Sequence, residues 1–373
     1  MNLSDDQQHA HQAIMHCVLN GQRNSVLTGP AGSGKTTLLK AILKDLDLRQ
    51  RQVVLAAPTG RAAMRIQELT GWCATTLHAV LYRFVNELPT GELHFGGRKK
   101  IADGQPVVFV CDEASMVSQT LYADIQARVP RGSSILWVGD ADQLPPVDGS
   151  WGPSFHAPTA RLVNIHRQAE GSPIIPLANN IRLNGVEPPA LGRASIGGAV
   201  AYAQQESADA ILLTYTNRTR REANTAARVA AGRTQLLEPG DRIVCTRTSK
   251  RCGLFNGETR DVLTVSENDE YTLSVSWIDG AGIVPKSCLR GEEPPTRNWH
   301  RSLVQTYGDS ILLAEYGNCL TVHKAQGSQW EHVVLLQDGL LRNLRNTNNT
   351  LWRRLLYTAC TRASKQLTVF NVG

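Results

Sequence analysis

The stretch Gly29-Pro30-Ala31-Gly32-Ser33-Gly34-Lys35-Thr36 has the residue types and spacing to hold the phosphates of a nucleotide. It fits the pattern G-x-x-x-x-G-K-[ST], and its flanks supply the setting that pattern needs, since Ser25 to Leu27 reads as a strand and Thr37 to Lys44 as a helix. Gly29, Gly32 and Gly34 let the backbone take conformations that a Cβ would forbid. The loop from Gly29 through Pro30, Ala31 and Ser33 to Thr37 then presents amide groups to an anion at a helix N-terminus. Lys35 would reach the β- and γ-phosphates, and the Thr36 hydroxyl would ligate Mg²⁺. The implied ligands are ATP and Mg²⁺.

Two acids stand at the end of the apolar run Val107 to Cys111. Beside a phosphate loop, Asp112 would hold the metal and Glu113 would act as general base on an attacking water. A further apolar run, Ile135 to Val138, leads into Gly139-Asp140-Ala141-Asp142-Gln143. A turn at the C-terminal end of a parallel strand would place Gln143 over the γ-phosphate, because ligands bind at those strand ends.

These groups need a scaffold. Ser4-Asp5-Asp6-Gln7 matches a capping box, and Ala10, Ala13, Ile14, Cys17 and Val18 recur at helical spacing, so the chain opens with an amphipathic helix. The runs Val53 to Ala56, Val107 to Cys111 and Ile135 to Val138 alternate with helical stretches, the pattern of a parallel sheet in an α/β domain. Tyr82 to Gln105, with its Pro and Gly turn signals, reads as an inserted β-hairpin. A second α/β series is expected from about residue 159: a strand Leu162 to Ile165, a helix after Ser172-Pro173, a strand Ile211 to Thr214 and a helix Thr219 to Ala231. From Gly240 the alternation of Tyr271, Leu273, Val275 and Trp277 with polar residues predicts antiparallel strands, turned at Asn268 to Glu270. The α/β pattern resumes near Ala314 with Cys319 to Val322, Val333 to Leu336, a helix from Leu351 and a last strand Leu367 to Phe370.

Composition agrees with this scale. A chain of 373 residues exceeds one hydrophobic core, so two or three domains are expected. Hydrophobic content of 42% with 19% charged residues is that of a chain folded throughout. The net charge of +6 suits a polyanionic partner without amounting to a basic coat. No run of eighteen apolar residues occurs and the first residues are acidic, so a cytoplasmic protein with no membrane partner is expected. The eight cysteines form no C-x-x-C pair, which argues against a zinc site or a redox dithiol.

Taken together, these motifs resemble the superfamily 1B DNA helicases, particularly RecD-like and Dda-like enzymes, almost from end to end. Leu3-Ser4-Asp5-Asp6-Gln7 resembles their Q motif, which implies that Gln7 reads the adenine. Ala57-Pro58-Thr59-Gly60-Arg61 and Thr75-Thr76-Leu77-His78 resemble motifs Ia and Ib, which implies single-strand contacts by Pro58, Thr59, Thr76 and His78; small hydroxyls suit phosphate contacts that carry no sequence information. Their other reading is plain helix capping. Asn164-Ile165-His166-Arg167-Gln168 resembles a motif with Tyr at the His166 position, and implies a γ-phosphate role for Arg167. Thr321-Val322-His323-Lys324-Ala325-Gln326-Gly327-Ser328 is similar to motif V, with Thr321, His323 and Lys324 as DNA contacts, and Leu356 to Ala363 to motif VI, with Arg362 as the arginine finger. Gln329 stands where the family commonly has Glu, and Arg260 where a Gly is common.

The resemblance implies two RecA-like P-loop motor domains of α/β class: 1–158 as domain 1A, with a β-hairpin 1B insert at about 82–105, then 159–239 and 314–373 as domain 2A, with an SH3-like β-barrel 2B insert at 240–313. ATP would lie between the two motor domains. The implied activity is ATP-dependent translocation 5′ to 3′ on single-stranded DNA with unwinding of duplex, in company with replication or recombination proteins; Phe95 or His94 near the hairpin tip would abut the duplex junction, the other reading being a hairpin packed against its own domain. No sequence block follows motif VI, so a fused nuclease domain is not expected. The alternatives are an RNA-directed motor of the same fold and a non-catalytic targeting subunit; the intact set Lys35, Glu113, Gln143 and Arg362 speaks against the latter.

Overall fold

The structure, a computed structural model, describes residues 3–87, 93–98, 101–146, 151–153, 155–165, 173–207, 209–249, 251–292 and 299–373. The chain forms two compact units, Met1–Phe84 with Phe95–Val186, and Glu187–Gly373 with Val85–His94.

The first unit is built on a six-stranded sheet in the order Ala74–Thr76, Val53–Ala57, Val108–Cys111, Ser134–Gly139, Asn24–Thr28, Ala160–Arg161. All of its pairings are parallel. Successive strand side chains alternate between the two faces, and each face buries its own core. Leu27, Leu55, Val108, Val110, Leu136 and Val138 pack with the helices Asp5–Leu19 and Lys35–Leu48. Val26, Ala56, Phe109, Ile135 and Trp137 pack with Leu77, Leu81 and Ile125 on the other side.

The second unit holds a five-stranded parallel sheet in the order Cys319–Thr321, Ile211–Thr214, Trp330–Gln337, Ala363–Val372, Gly192–Ala194. Between its halves lies a β module of two three-stranded antiparallel sheets sharing one core, which includes Leu237, Ile243, Val262, Trp277 and Val284.

Three expectations need correction. Leu162 to Ile165 is not a strand; the strand is Ala160–Arg161, and it pairs with Asn24–Thr28 in the first sheet. The first unit therefore runs past residue 158, to Val186, and takes in the helix Ile174–Asn184. Leu162 explains the misreading, because it is fully buried, but in the core under the phosphate loop. Thirdly, Ala314–Tyr316 completes an antiparallel sheet of the β module, so the parallel sheet resumes at Cys319.

The expected hairpin forms as paired strands Tyr82–Glu87 and Leu93–Arg98. Its base is tied to the helix Gln119–Arg128: the Tyr82 hydroxyl donates to Asp124, and the Arg128 guanidinium lies 4.2 Å from the Tyr82 ring centroid. The connecting residues 88–92 and the side chains of His94 and Phe95 fall outside the described residues, and with them the junction reading of Phe95.

Candidate functional site

The phosphate loop leaves the strand Asn24–Thr28 and enters the helix Lys35–Leu48. Gly32 and Gly34 are left-handed, with φ of +83° and +81°. Gly29 is required by closeness instead, for a Cβ there would lie 2.7 Å from Ser33 Oγ and 3.0 Å from Leu162 Cβ. The buried Ser33 hydroxyl donates to Pro30 O at 2.9 Å and stiffens the loop from within. Lys35 Nζ donates to Gly29 O at 2.6 Å and Pro30 O at 3.0 Å, which holds the ammonium over the loop. Ala31, Thr36 and Thr37 are half-buried on the same turn. Gln7 belongs to this cluster: its Nε2 donates to Ser33 O at 3.4 Å while its Oε1 accepts from Ser4 N–H at 3.1 Å. The capping role and a place beside the loop are thus compatible.

Asp112 and Glu113 follow the strand Val108–Cys111, and Gln143 follows Ser134–Gly139, so the loop, the acid pair and the amide leave the C-terminal ends of three adjacent parallel strands. Burial, and then the neighbouring Glu113 charge, push the Asp112 carboxyl up to about 7, against the pull of Lys35 and Arg65. A hard dication is the natural partner for such a carboxyl, and Thr36 and Asp112 offer the oxygen donors that Mg²⁺ prefers. Glu113 has φ +50°, rare for a residue with a Cβ, and this turns the chain sharply into the short helix Ala114–Met116. Gln143 is 4% exposed, and its Oε1 has no hydrogen-bond partner among the described residues. Ser115, which the sequence reading passed over, is fully buried with its hydroxyl in the same condition. Its only signal was its position two residues after the acid pair.

The expected nucleic-acid residues are placed as follows. Pro58 follows the strand Val53–Ala57, and Thr59 caps the helix Gly60–Thr70 by accepting from Ala62 N–H at 3.2 Å. Thr76 caps Leu77–Leu81 in the same way through Ala79 N–H, also at 3.2 Å. His78 has its pKa lowered by partial desolvation. In the second unit, Thr321 ends the strand Cys319–Thr321 and accepts from Lys324 N–H at 3.3 Å. Burial lowers the pKa of His323, whose ring lies 6.3 Å from that of Tyr215. Lys324 is not a bare cation: its Nζ lies 3.6 Å from Glu315 Oε2, which also accepts from Arg220 at 2.6 Å. Arg362 is 4% exposed and donates to Thr358 O, Ser328 O and Thr361 Oγ1 at 3.0 to 3.1 Å. Gln329 Nε2 donates to Thr361 O at 3.3 Å, a second tie between these two turns. Arg167 lies outside the described residues.

Residues 2–205 match the AAA domain family, and residues 316–370 the UvrD-like helicase C-terminal domain. The chain belongs to the AAA domain family. The ATP-dependent RecD2 DNA helicase of Deinococcus radiodurans is 31% identical over 97% of this chain and 48% of its own length. The ATP-dependent DNA helicase dda of Enterobacteria phage T4 is 28% identical over 48% of this chain and 43% of its own. The chain thus spans about half the length of the curated relatives it matches. Among solved structures, a Bacteroides Pif1 helicase in complex with ADP-AlF3 and single-stranded DNA superposes with a TM-score of 0.58 at 18% identity, covering 99% of this chain and 92% of that one. This is a likeness of fold, and it agrees with the parallel-sheet architecture described above.

Proposed function

We propose that the chain is an ATP-dependent DNA helicase that moves 5′ to 3′ along single-stranded DNA and unwinds duplex at a junction. The observation that carries the hydrolytic part is the meeting of the Lys35 loop, Asp112-Glu113 and Gln143 at the ends of three neighbouring parallel strands. Lys35 neutralises charge on the β- and γ-phosphates, Glu113 takes the proton of the attacking water, and Gln143 orients the transferring group. Thr36 and Asp112 would hold Mg²⁺, which supplies charge neutralisation at the phosphates. Family membership supports assigning Arg362 and Arg167 to the γ-phosphate. For Arg362 this requires release from its present carbonyl partners.

The DNA substrate follows from the relatives' names, and the direction from the resemblance of motifs Ia, Ib and V. The hairpin Tyr82–Arg98 is proposed as the 1B insert and the antiparallel module as the SH3-like 2B insert. Replication or recombination proteins are the proposed partners. A strand-displacement assay on duplexes with a 5′ or a 3′ tail, with and without ATP, tests the reading; unwinding confined to 3′-tailed duplex would refute the direction. Stronger stimulation of ATP turnover by single-stranded RNA than by DNA would move the assignment to the RNA alternative.

A further inference from the structure

Two buried groups beside the acid pair have unmet and complementary hydrogen-bonding needs. The Ser115 hydroxyl is a donor and the Gln143 Oε1 an acceptor, and neither has a partner among the described residues. Buried polar atoms rarely stay unpaired, because the lost hydration is not recovered, so such an atom in a native site marks a contact made in another state. The two stand on neighbouring segments. Ser115 lies in the turn after Val108–Cys111 and Gln143 in the turn after Ser134–Gly139, and these strands pair directly, Cys111 opposite Trp137. The left-handed Glu113 folds Ala114–Met116 back onto the neighbouring strand end, so that a Cβ on Gly139 would lie 3.0 Å from Ser115 N. Gly139 is thereby required where the two turns touch. Gln143 is held in its own turn by N–H donation to Asp140 O at 3.2 Å, while its side chain is left to respond.

We propose that Ser115 is a positioning residue of the hydrolytic site, its hydroxyl donating to Gln143 Oε1 when nucleotide is bound and thereby aiming Gln143 Nε2 at the γ-phosphate. Glu113 and Gln143, from two strands, are then registered against one another by a residue that touches neither phosphate nor water. The inference rests on the ATP-hydrolysis reading.

Steady-state ATP turnover with single-stranded DNA, for the wild type, Ser115→Ala, Gln143→Ala and the double variant, tests it, with a thermal melt of each. Ser115→Ala is expected to lower kcat about ten-fold while KM stays within about two-fold, as for the loss of an interaction used in the transition state. The double variant should be no slower than Gln143→Ala alone. The melting temperature of Ser115→Ala should hold or rise, since an unpaired buried hydroxyl has been removed; a merely structural serine would lower it. Ser115→Cys, a poor donor of similar volume, should repeat the kinetic loss. Unchanged kcat in Ser115→Ala, or losses that simply add in the double variant, overturn the inference while leaving the hydrolysis reading intact. Absence of turnover in the wild type overturns both.

Discussion

Each parallel sheet has a strand that runs into an aspartate, Asp112 in the first and Asp338 in the second, and the two are in opposite condition. At the first, demands are unmet: desolvation pushes the Asp112 carboxyl up to about 7, Glu113 is left-handed, and Gln143 Oε1 and Ser115 Oγ have no partner among the described residues. At the second, the demands of the aspartate are met from within, though the adjacent Gln337 is fully buried with neither side-chain polar atom partnered among the described residues. Asp338 accepts from the hydroxyls of Thr216 and Thr219 at 3.0 and 2.9 Å and from Leu341 N–H at 2.8 Å. Arg362 is likewise occupied by three partners in its own unit. An elevated carboxyl costs stability that a ligand can restore, whereas a carboxylate with its acceptors engaged is scaffold until something displaces its partners. The difference agrees with the nucleotide site proposed at the first sheet.

The largest effect should come from the unmet edge. Lys35→Ala or Glu113→Gln is expected to reduce ATP turnover by roughly 10³-fold, the scale set by loss of charge stabilisation or of the general base. A coupled assay of phosphate release reads it, and Glu113→Gln should retain nucleotide binding. Turnover within ten-fold of wild type in both variants would remove the basis for the contrast.

At the satisfied aspartate the same kind of change should act on folding instead. Asp338→Ala removes the acceptor of the buried Thr219 hydroxyl and of the half-buried Thr216 hydroxyl and uncaps the helix Gly339–Thr347, which costs about 3 kcal/mol by the magnitudes of lost caps and unsatisfied groups. Denaturant unfolding measures this. Asp112→Asn is the matched opposite: without nucleotide and metal it should melt no lower than wild type at pH 8, while losing turnover.

The pH dependence of stability sharpens the point. The Asp112 carboxyl rises from 3.8 to about 7 on folding, so the folded state keeps a proton that the unfolded chain releases. The resulting stabilisation is complete below about 4 and is lost as pH rises through 7. Nucleotide-free wild type should therefore lose stability over that window relative to Asp112→Asn, and melts at pH 4.5, 6 and 8 show whether the two curves diverge.

Much of this contrast was legible in the residues themselves. Apolar runs bounded by Gly and acids gave the strands that carry Lys35, Asp112 and Gln143, because a strand buried on both faces must be apolar throughout. What was not legible is what depends on pairing partners distant in sequence. Leu162 looks like part of a strand of the second series, yet it is buried beneath Gly29, and nothing local says which sheet its neighbours join. The inward partners of Arg362, the Glu315 link between Arg220 and Lys324, and the left-handed Glu113 are likewise products of tertiary placement.

The smallest expected effect concerns the capping threonines, where both readings of the sequence meet. Thr59 Oγ1 accepts from Ala62 N–H, so its lone pairs are engaged by the helix, but its hydroxyl proton is left for an acceptor such as a phosphate oxygen. A cap is worth about 1 kcal/mol, and Thr59→Ala should cost that much in unfolding free energy. Thr59→Ser keeps both the lone pair and the proton and should restore stability and single-strand affinity together. Thr59→Asp separates them: it accepts from Ala62 N–H as well as threonine does, yet has no proton to donate at neutral pH and adds a charge that repels phosphate. Stability at the wild-type level with single-strand binding weakened several-fold would show that this cap also faces nucleic acid. Unchanged binding in both Thr59→Ala and Thr59→Asp, measured by anisotropy of a labelled oligonucleotide, would leave Thr59 as a helix cap alone and move the strand's path away from this edge of the first sheet.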